Sequence, residues 1–403
     1  MKRALVFSGG GSKGAYQYGA WKALREMEMD FDIVTGTSIG AINAALYVQG
    51  DFDAAGVIWH EMDINDVMAN GIVLDNNLKI LVDQRKNVIP FLKSYIGSKG
   101  ADITPFIKTV ETYTDEERFF DSKIDFGLVT VKYPGMAPAE ILKKDIEPGD
   151  LPRWIVASCS CFPIFPVYDM NGQGYIDGGY YDNLPVATAF RLGADSVVAV
   201  DLNHNAAHPA YTKHPLVKYI KPCHDLGGFL RYNRENLDRI IDLGYNDTKK
   251  AFGHYYGKRY TFYMPDMVRL RDMAEVFVKD ITFFEVSGSF SGALRSRPLV
   301  NAQCTALITS GFTAAEPDKD EFFLLALEKT MELFDFDDSK IYSMKEVFAR
   351  LMAESSEAAE GRRISVSKLT NLLKKRLGFG KEKDYERMLA ASMLSAIYGQ
   401  GTN

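Results

Sequence analysis

Twice within its first fifty residues the chain runs through a short apolar stretch, breaks at a glycine-rich turn and continues as a helix former. The first passage is Ala4 to Phe7, then Gly9-Gly10-Gly11-Ser12-Lys13-Gly14, then a predicted helix over 15–29. The second is Phe31 to Thr35, then Gly36-Thr37-Ser38-Ile39-Gly40, then a predicted helix over 39–48. Successive strand–turn–helix units need a crossover for each new strand, so they predict parallel pairing with helices on the faces. Further strands are expected at Phe126 to Val131 and Ser196 to Asp201, a helical pattern from Asp53 to Thr114 broken at Pro90 and Pro105, and loops with short strands from Arg153 to Asp182. The expected fold is therefore α/β, three layers α/β/α around a mainly parallel central sheet. At 403 residues the chain exceeds one ordinary domain. An α/β domain over 1–260 and a mainly helical region over 261–403 are expected. Predicted helices there include 321–334 and 343–352, the second opened by Ser343 with Glu346 three residues on, a capping box.

Gly9, Gly11 and Gly14 spell G-x-G-x-x-G after a strand, the form of a dinucleotide-binding turn. That reading also needs an acidic residue at the end of the next strand to hold a ribose. Asp30 and Asp32 stand before the next apolar run instead, and the run ends in Thr35-Gly36-Thr37-Ser38. A phosphate-cradling Walker loop fails because Lys13 precedes the last glycine. What remains is backbone physics: glycines let amide groups approach a ligand closely, and the following helix adds its positive end. The loop is suited to something negative, or becoming so.

Gly36-Thr37-Ser38-Ile39-Gly40 has the form of a nucleophile elbow, in which the serine sits on a strained strand-to-helix turn. Both contexts it requires are present: Ile33 and Val34 before it, Ala41, Ile42, Ala44, Ala45 and Leu46 after it. The carboxyl ends of adjacent parallel strands share one edge, so the glycine loop and Ser38 should lie side by side. Attack of Ser38 on an ester carbonyl makes an oxyanion, and the amides of Gly10 and Gly11, with that of Ile39, are placed to receive it. A serine also needs a base. None of the six histidines stands in an elbow-like setting at the end of a convincing strand, although His204 follows the run ending at Leu202. Asp177 lies between Tyr175-Ile176 and two glycines, Gly178 and Gly179. To serve as a base at neutral pH, its carboxylate must be lifted from about 3.9 by burial. A dry site beside Phe162, Phe165 and Tyr175 is predicted, with Lys13 facing outward or meeting a bound phosphate. The rival readings are a histidine-containing triad esterase or acyltransferase on the same serine, and a dinucleotide-binding module on Gly9–Gly14 alone.

Net charge of −6 excludes a nucleic-acid binder that depends on overall charge. The four cysteines (Cys159, Cys161, Cys223, Cys304) lack zinc-type pairs, are too sparse for a disulfide scaffold and read as reduced thiols of the core. No metal and no organic cofactor is expected. No window reaches the apolar length of a membrane span and no secretory leader is evident, so a cytoplasmic chain is expected. The stretch Asp335, Asp337, Ser339 and Glu346 has partial calcium-loop spacing but carries Lys340 where such a loop needs glycine, and reads as helix-end chemistry. Residues 368–383 present a basic face opposite leucines, and the polar run 354–363 reads as a linker.

Taken in order, Gly9-Gly10-Gly11-Ser12-Lys13-Gly14, Gly36-Thr37-Ser38-Ile39-Gly40 and Asp177-Gly178-Gly179 resemble the patatin-like phospholipase family. Supporting text is Ala157-Ser158 through Pro163, Asn183-Leu184-Pro185 and Gly193-Ala194-Asp195. The likeness is clear to about residue 205 and fades toward Leu243-Gly244-Tyr245. It implies lipid acyl hydrolysis of the phospholipase A or lysophospholipase kind by a Ser–Asp dyad. Ser38 would be the nucleophile, Asp177 the general base, and Gly9 to Gly14 the oxyanion site. The implied partner is a phospholipid or other acyl-ester lipid at a membrane or micelle surface.

Overall fold

The computed structural model describes residues 1–69, 100–205, 208–265, 267–287, 319–355, 359–360, 363–364, 390–394 and 396–397. The chain divides into two compact units, Met1–Ala251 and Phe252–Asn403.

The first unit is built on an eight-stranded sheet. Its elements in chain order are β1 (Arg3–Phe7), α1 (Gly14–Glu26), β2 (Ile33–Thr37), α2 (Ile39–Val48), α3 (Phe52–Glu61), α4 (Thr104–Tyr113) and α5 (Glu116–Asp121). Then follow β3 (Asp125–Tyr133), β4 (Ala137–Leu142), α6 (Leu151–Ser158), β5 (Tyr168–Met170), β6 (Gln173–Asp177), α7 (Val186–Arg191), β7 (Ser196–Val200), β8 (Val217–Ile220) and α8 (Arg234–Ala251). The strand order is β5-β6-β3-β2-β1-β7-β8, with β4 also on β3. The five strands from β3 to β8 pair in parallel, and β4, β5 and β6 are antiparallel additions. Every residue of β2, and all but the first of β1 and β7, is buried. Alternate strand residues point to opposite faces, so continuous burial means both faces are covered, as the helices on both sides require.

Two features of this sheet position a site. The chain leaves β1 for β2 on one side and later sets β7 on the other, so the turn after β1 lies at a topological switch point. The register along β3 supplies the second. β2 pairs with residues 125–129 of β3 and β6 with residues 130–133, while β4 spans 127–132. Because β4 overlaps both, β2 and β6 must share the opposite edge, end to end. Thr37 pairs with Val129 and Asp177 with Thr130, adjacent residues of β3.

Several expectations are corrected. The passage 153–182 was expected as loops with short strands, yet Leu151–Ser158 is a helix with proline in its first turn, where a missing amide hydrogen has no cost. The helix after the glycine loop ends at Glu26 rather than residue 29. Pro90, Cys304 and the basic face at 368–383 lie outside the described residues.

In the second unit β9 (Thr261–Phe262) pairs in parallel with β10 (Ile341–Tyr342) beside α9 (Met267–Ser287), α10 (Lys319–Leu333) and α11 (Met344–Glu354). Phe262, Phe277, Phe323, Phe334, Val347 and Leu351 are fully buried there. The buried carboxylate of Glu328 accepts the amides of Lys258, Arg259 and Tyr260 at 2.7, 3.1 and 3.2 Å, which holds the turn before β9. The capping box at Ser343 and Glu346 is formed. Among the described residues no helix is long and apolar enough to cross a membrane, and no cluster of metal-ligating side chains occurs.

Candidate active site

Ser38 joins β2 to α2 with φ 55° and ψ −129°, a conformation that side-chain-bearing residues rarely adopt. Backbone of this kind costs on the order of 1–3 kcal/mol and persists only where surrounding structure enforces it. Here the enforcement is steric. A Cβ on Gly36 would lie 2.1 Å from the Gly40 carbonyl oxygen, and one on Gly40 would lie 2.4 Å from that of Phe7. Both glycines flanking the serine are thus required by close backbone approach. The Ser38 amide donates to Ser158 Oγ at 2.9 Å, and Ser158 donates to the Val129 carbonyl at 2.7 Å. Thr37 Oγ1 donates to the Asp182 carbonyl at 2.8 Å.

The end-to-end strands bring Ser38 and Asp177 together: Ser38 Oγ donates to Asp177 Oδ2 at 2.7 Å. The other carboxylate oxygen accepts the Gly179 amide at 2.7 Å, which fixes the carboxyl plane. Asp177 is buried, and burial lifts its carboxyl from the ordinary 3.8 to about 6 against the opposing pull of those two hydrogen bonds. A neighbouring Gly178 Cβ would strike the Val129 carbonyl at 2.1 Å and Thr37 Cγ2 at 2.9 Å, so the carboxyl end of β6 abuts β2 directly.

Gly9, Gly10 and Gly11 line the same cavity as Ser38, Ile39, Asp177 and Gly179. The Gly9 amide donates to the Asn183 carbonyl at 3.0 Å, and Asn183 Nδ2 returns a bond to the Gly9 carbonyl at 3.2 Å. Among the described residues no acceptor meets the amides of Gly10, Gly11 or Ile39. Ser12 is fully buried, whereas Lys13 is half-buried and does not line the cavity. Gly14 opens α1 against Trp59 and Ile39. Behind the loop, Gln17 Nε2 donates to the Ser8 carbonyl at 2.7 Å, and Asn43 bridges the Gly14 carbonyl and Gln17 at 3.1 and 2.8 Å.

The cavity has a volume of about 340 Å³, within the range of small-molecule sites, and its walls are mostly apolar. Val67, Phe106, Phe165, Phe229, Leu230 and Tyr232 supply much of them. Sequence reasoning anticipated Phe165 but not the 229–232 wall, which no motif marks. It also placed Cys159 and Cys161 as plain core thiols, whereas both line the cavity. Burial and the Asp177 carboxylate push the Cys161 thiol up to about 11 and hold Cys159 well above the ordinary thiol value, so both stay protonated. All six histidines are described and none lines the cavity; His60 meets Asp238 at 2.9 Å, and His204 lies 3.7 Å from Asp225.

A nucleophile, a carboxylate of raised basicity and unengaged amides around an apolar cavity can perform acyl transfer from an ester. Residues 5–190 match the model of a family described as patatin-like phospholipase. The chain is similar to a protein called Lysophospholipase NTE1 from Meyerozyma guilliermondii, 30% identical over 209 residues, 49% of this chain and 12% of that protein. It is also similar to Patatin-like phospholipase domain-containing protein 6 of Homo sapiens, 29% identical over 201 residues, 49% of this chain and 13% of that one. The chain thus spans only a small part of the curated relatives it matches. Among solved structures, VipD from Legionella pneumophila aligns with a TM-score of 0.42 at 13% identity, covering 100% of this chain and 92% of that one.

Proposed function

We propose that this chain, whose residues 5–190 match the patatin-like phospholipase family, hydrolyses acyl esters of phospholipids or lysophospholipids through a Ser38 acyl-enzyme with Asp177 as general base. The observation that carries this reading is the 2.7 Å bond from Ser38 to a dry carboxylate, in a cavity that no histidine lines.

Asp177 accepts the Ser38 proton as Oγ forms its bond to the ester carbonyl carbon. The carbonyl oxygen takes the negative charge and is met by the amides of Gly10, Gly11 and Ile39; each such donor is worth about 3–4 kcal/mol in the transition state. Collapse breaks the bond to the alcohol, which leaves with the proton from Asp177. Water then enters, gives its proton to Asp177 and attacks the acyl-enzyme. The fatty acid departs as Ser38 recovers its proton. A base near pH 6 suits both directions of proton transfer better than an ordinary aspartate. At the cavity, Tyr180 and Phe229 are 51% and 36% exposed, and the adjacent Tyr181 is 57% exposed. Aromatic groups at a cavity mouth favour contact with the surface of a bilayer or micelle, from which the acyl chain would enter.

The test is labelling with a fluorophosphonate probe in parallel with fatty-acid release from lysophosphatidylcholine. The wild type should label and turn over, Ser38→Ala should do neither, and Asp177→Asn should label at least a hundredfold more slowly. Labelling that persists in Ser38→Ala, or a wild type that releases no fatty acid, refutes the reading.

A further inference from the structure

The cavity wall and the glycine loop are joined by one side chain. Ser12 is fully buried, and its amide donates to the Phe229 carbonyl at 2.8 Å. Its hydroxyl donates to the Gly228 carbonyl at 3.0 Å and accepts the Arg231 amide at 3.1 Å. The next residue back, Gly11, has φ 59°, and a Cβ there would stand 2.1 Å from the Phe229 carbonyl oxygen. The two backbones therefore lie against each other at a residue that lines the cavity. From the same short segment, Phe229, Leu230 and Tyr232 line the cavity.

Both loops are also carried on one helix pair. α1 follows the glycine loop and α8 follows the 228–232 segment. A Cβ on Gly19 would lie 1.9 Å from the Ile241 carbonyl oxygen, and one on Gly244 would lie 1.9 Å from that of Tyr16. Tyr16 Oη donates to Asp247 Oδ2 at 2.8 Å within this contact. Helices locked backbone to backbone cannot slide without a clash, so relative movement of the two loops is confined to the loops themselves. There Ser12 makes three of the bonds that resist it.

We infer that Ser12 is a positioning residue that couples the 228–232 wall to the amides of Gly10 and Gly11, so that filling the wall with an acyl chain aligns the oxyanion site. This rests on the hydrolase reading above. Contact with a remote part of a substrate then appears as turnover rather than as affinity alone, because it orders groups needed only in the transition state. Misplacing such donors by about 1 Å costs on the order of a hundredfold in rate.

The experiment measures kcat and KM on p-nitrophenyl butyrate, octanoate and dodecanoate for the wild type, Ser12→Ala and Phe229→Ala, with inhibition by a dodecyl trifluoromethyl ketone and Tm for each. In the wild type kcat should rise with chain length. Ser12→Ala should lose that rise, falling about ten- to a hundredfold on dodecanoate and by a clearly smaller factor on butyrate, with KM changed less than threefold. Affinity for the ketone, which mimics the oxyanion, should fall by the same factor as kcat. Phe229→Ala, which leaves the Ser12 bonds in place, should also lose the rise, so the inference stays testable should Ser12→Ala fail to fold. An equal loss at every chain length, or a chain-length profile parallel to wild type in the folded variants, overturns the coupling. A wild type that cleaves none of the three esters refutes the hydrolase reading instead.

Discussion

A carboxylate kept dry enough to act as a base should weaken the fold that holds it, and Asp177 offers a clean measurement of this. Its folded value is about 6 against an ordinary 3.8. At about 1.4 kcal/mol per pH unit, ionising it inside the protein costs on the order of 3 kcal/mol more than in the unfolded chain. Below the ordinary value the proton is held in both states and the full stability is present. Between the two values the folded state alone holds it, so raising the pH erodes stability, and above about 6 the loss is complete. Asp177→Asn carries no charge at any pH, while its side chain keeps an acceptor for the Gly179 amide and a donor toward Ser38. The variant should therefore be more stable than wild type by about 3 kcal/mol near pH 8, and the two should converge near pH 4. Urea unfolding followed by tryptophan fluorescence reads this directly, because the three tryptophans, Trp21, Trp59 and Trp154, all lie in the unit Met1–Ala251. Unfolding curves whose separation stays constant from about pH 4 to about pH 8 would refute the claim that burial governs this carboxyl.

The same titration should govern catalysis. On a soluble ester, kcat/KM should rise about tenfold per pH unit below about 6 and level off above it, and a flat profile there would count against Asp177 as base. Gly40→Ala should abolish fluorophosphonate labelling and lower Tm, since its Cβ would meet the carbonyl oxygens of Phe7 and Ser8 at 2.4 and 2.7 Å; a labelled, stable variant would show the elbow to be looser than described. Ser158→Ala removes the acceptor of the Ser38 amide and the donor to Val129, and should cost about 1–3 kcal/mol in urea unfolding while slowing labelling. Replacing each of the six histidines by alanine in turn should leave ester turnover within a few fold of wild type, and abolition by any one would revive the triad.

The parts legible in the sequence were those fixed by local chemistry. The helix Ile39–Val48 has the expected bounds, because the elbow stops the strand and starts the helix within one residue. The strand before it runs Ile33–Thr37 rather than Phe31 to Thr35: Gly36 and Thr37 look like turn residues, yet tertiary pairing with Leu128 and Val129 keeps them extended. The helix Leu151–Ser158 was not legible, since a proline in a first turn looks like any loop proline when its neighbours in space are unknown. The 229–232 wall left no local trace at all, being defined only by what it touches.

How Ser38 and Asp177 meet was beyond local reading for a different reason. Two strands far apart in sequence reach one another only because β3 changes partner between Val129 and Thr130, handing its edge from β2 to β6. A slip of two residues in the β6 register would keep every side chain on its face and preserve the apolar alternation. It would also carry Asp177 roughly 7 Å along the strand, far outside hydrogen-bond reach of Ser38. Alternation therefore cannot choose between the two registers. What selects the observed one is the pair of contacts at the junction: Gly178, with no Cβ, fits against the Val129 carbonyl, and Thr130 Oγ1 donates to the Ile176 carbonyl at 2.8 Å. The glycine after the aspartate thus acts at a distance from its own backbone turn, setting the register that brings the carboxylate to the serine. Gly178→Ala should separate the pair and abolish labelling even if the rest of the sheet survives.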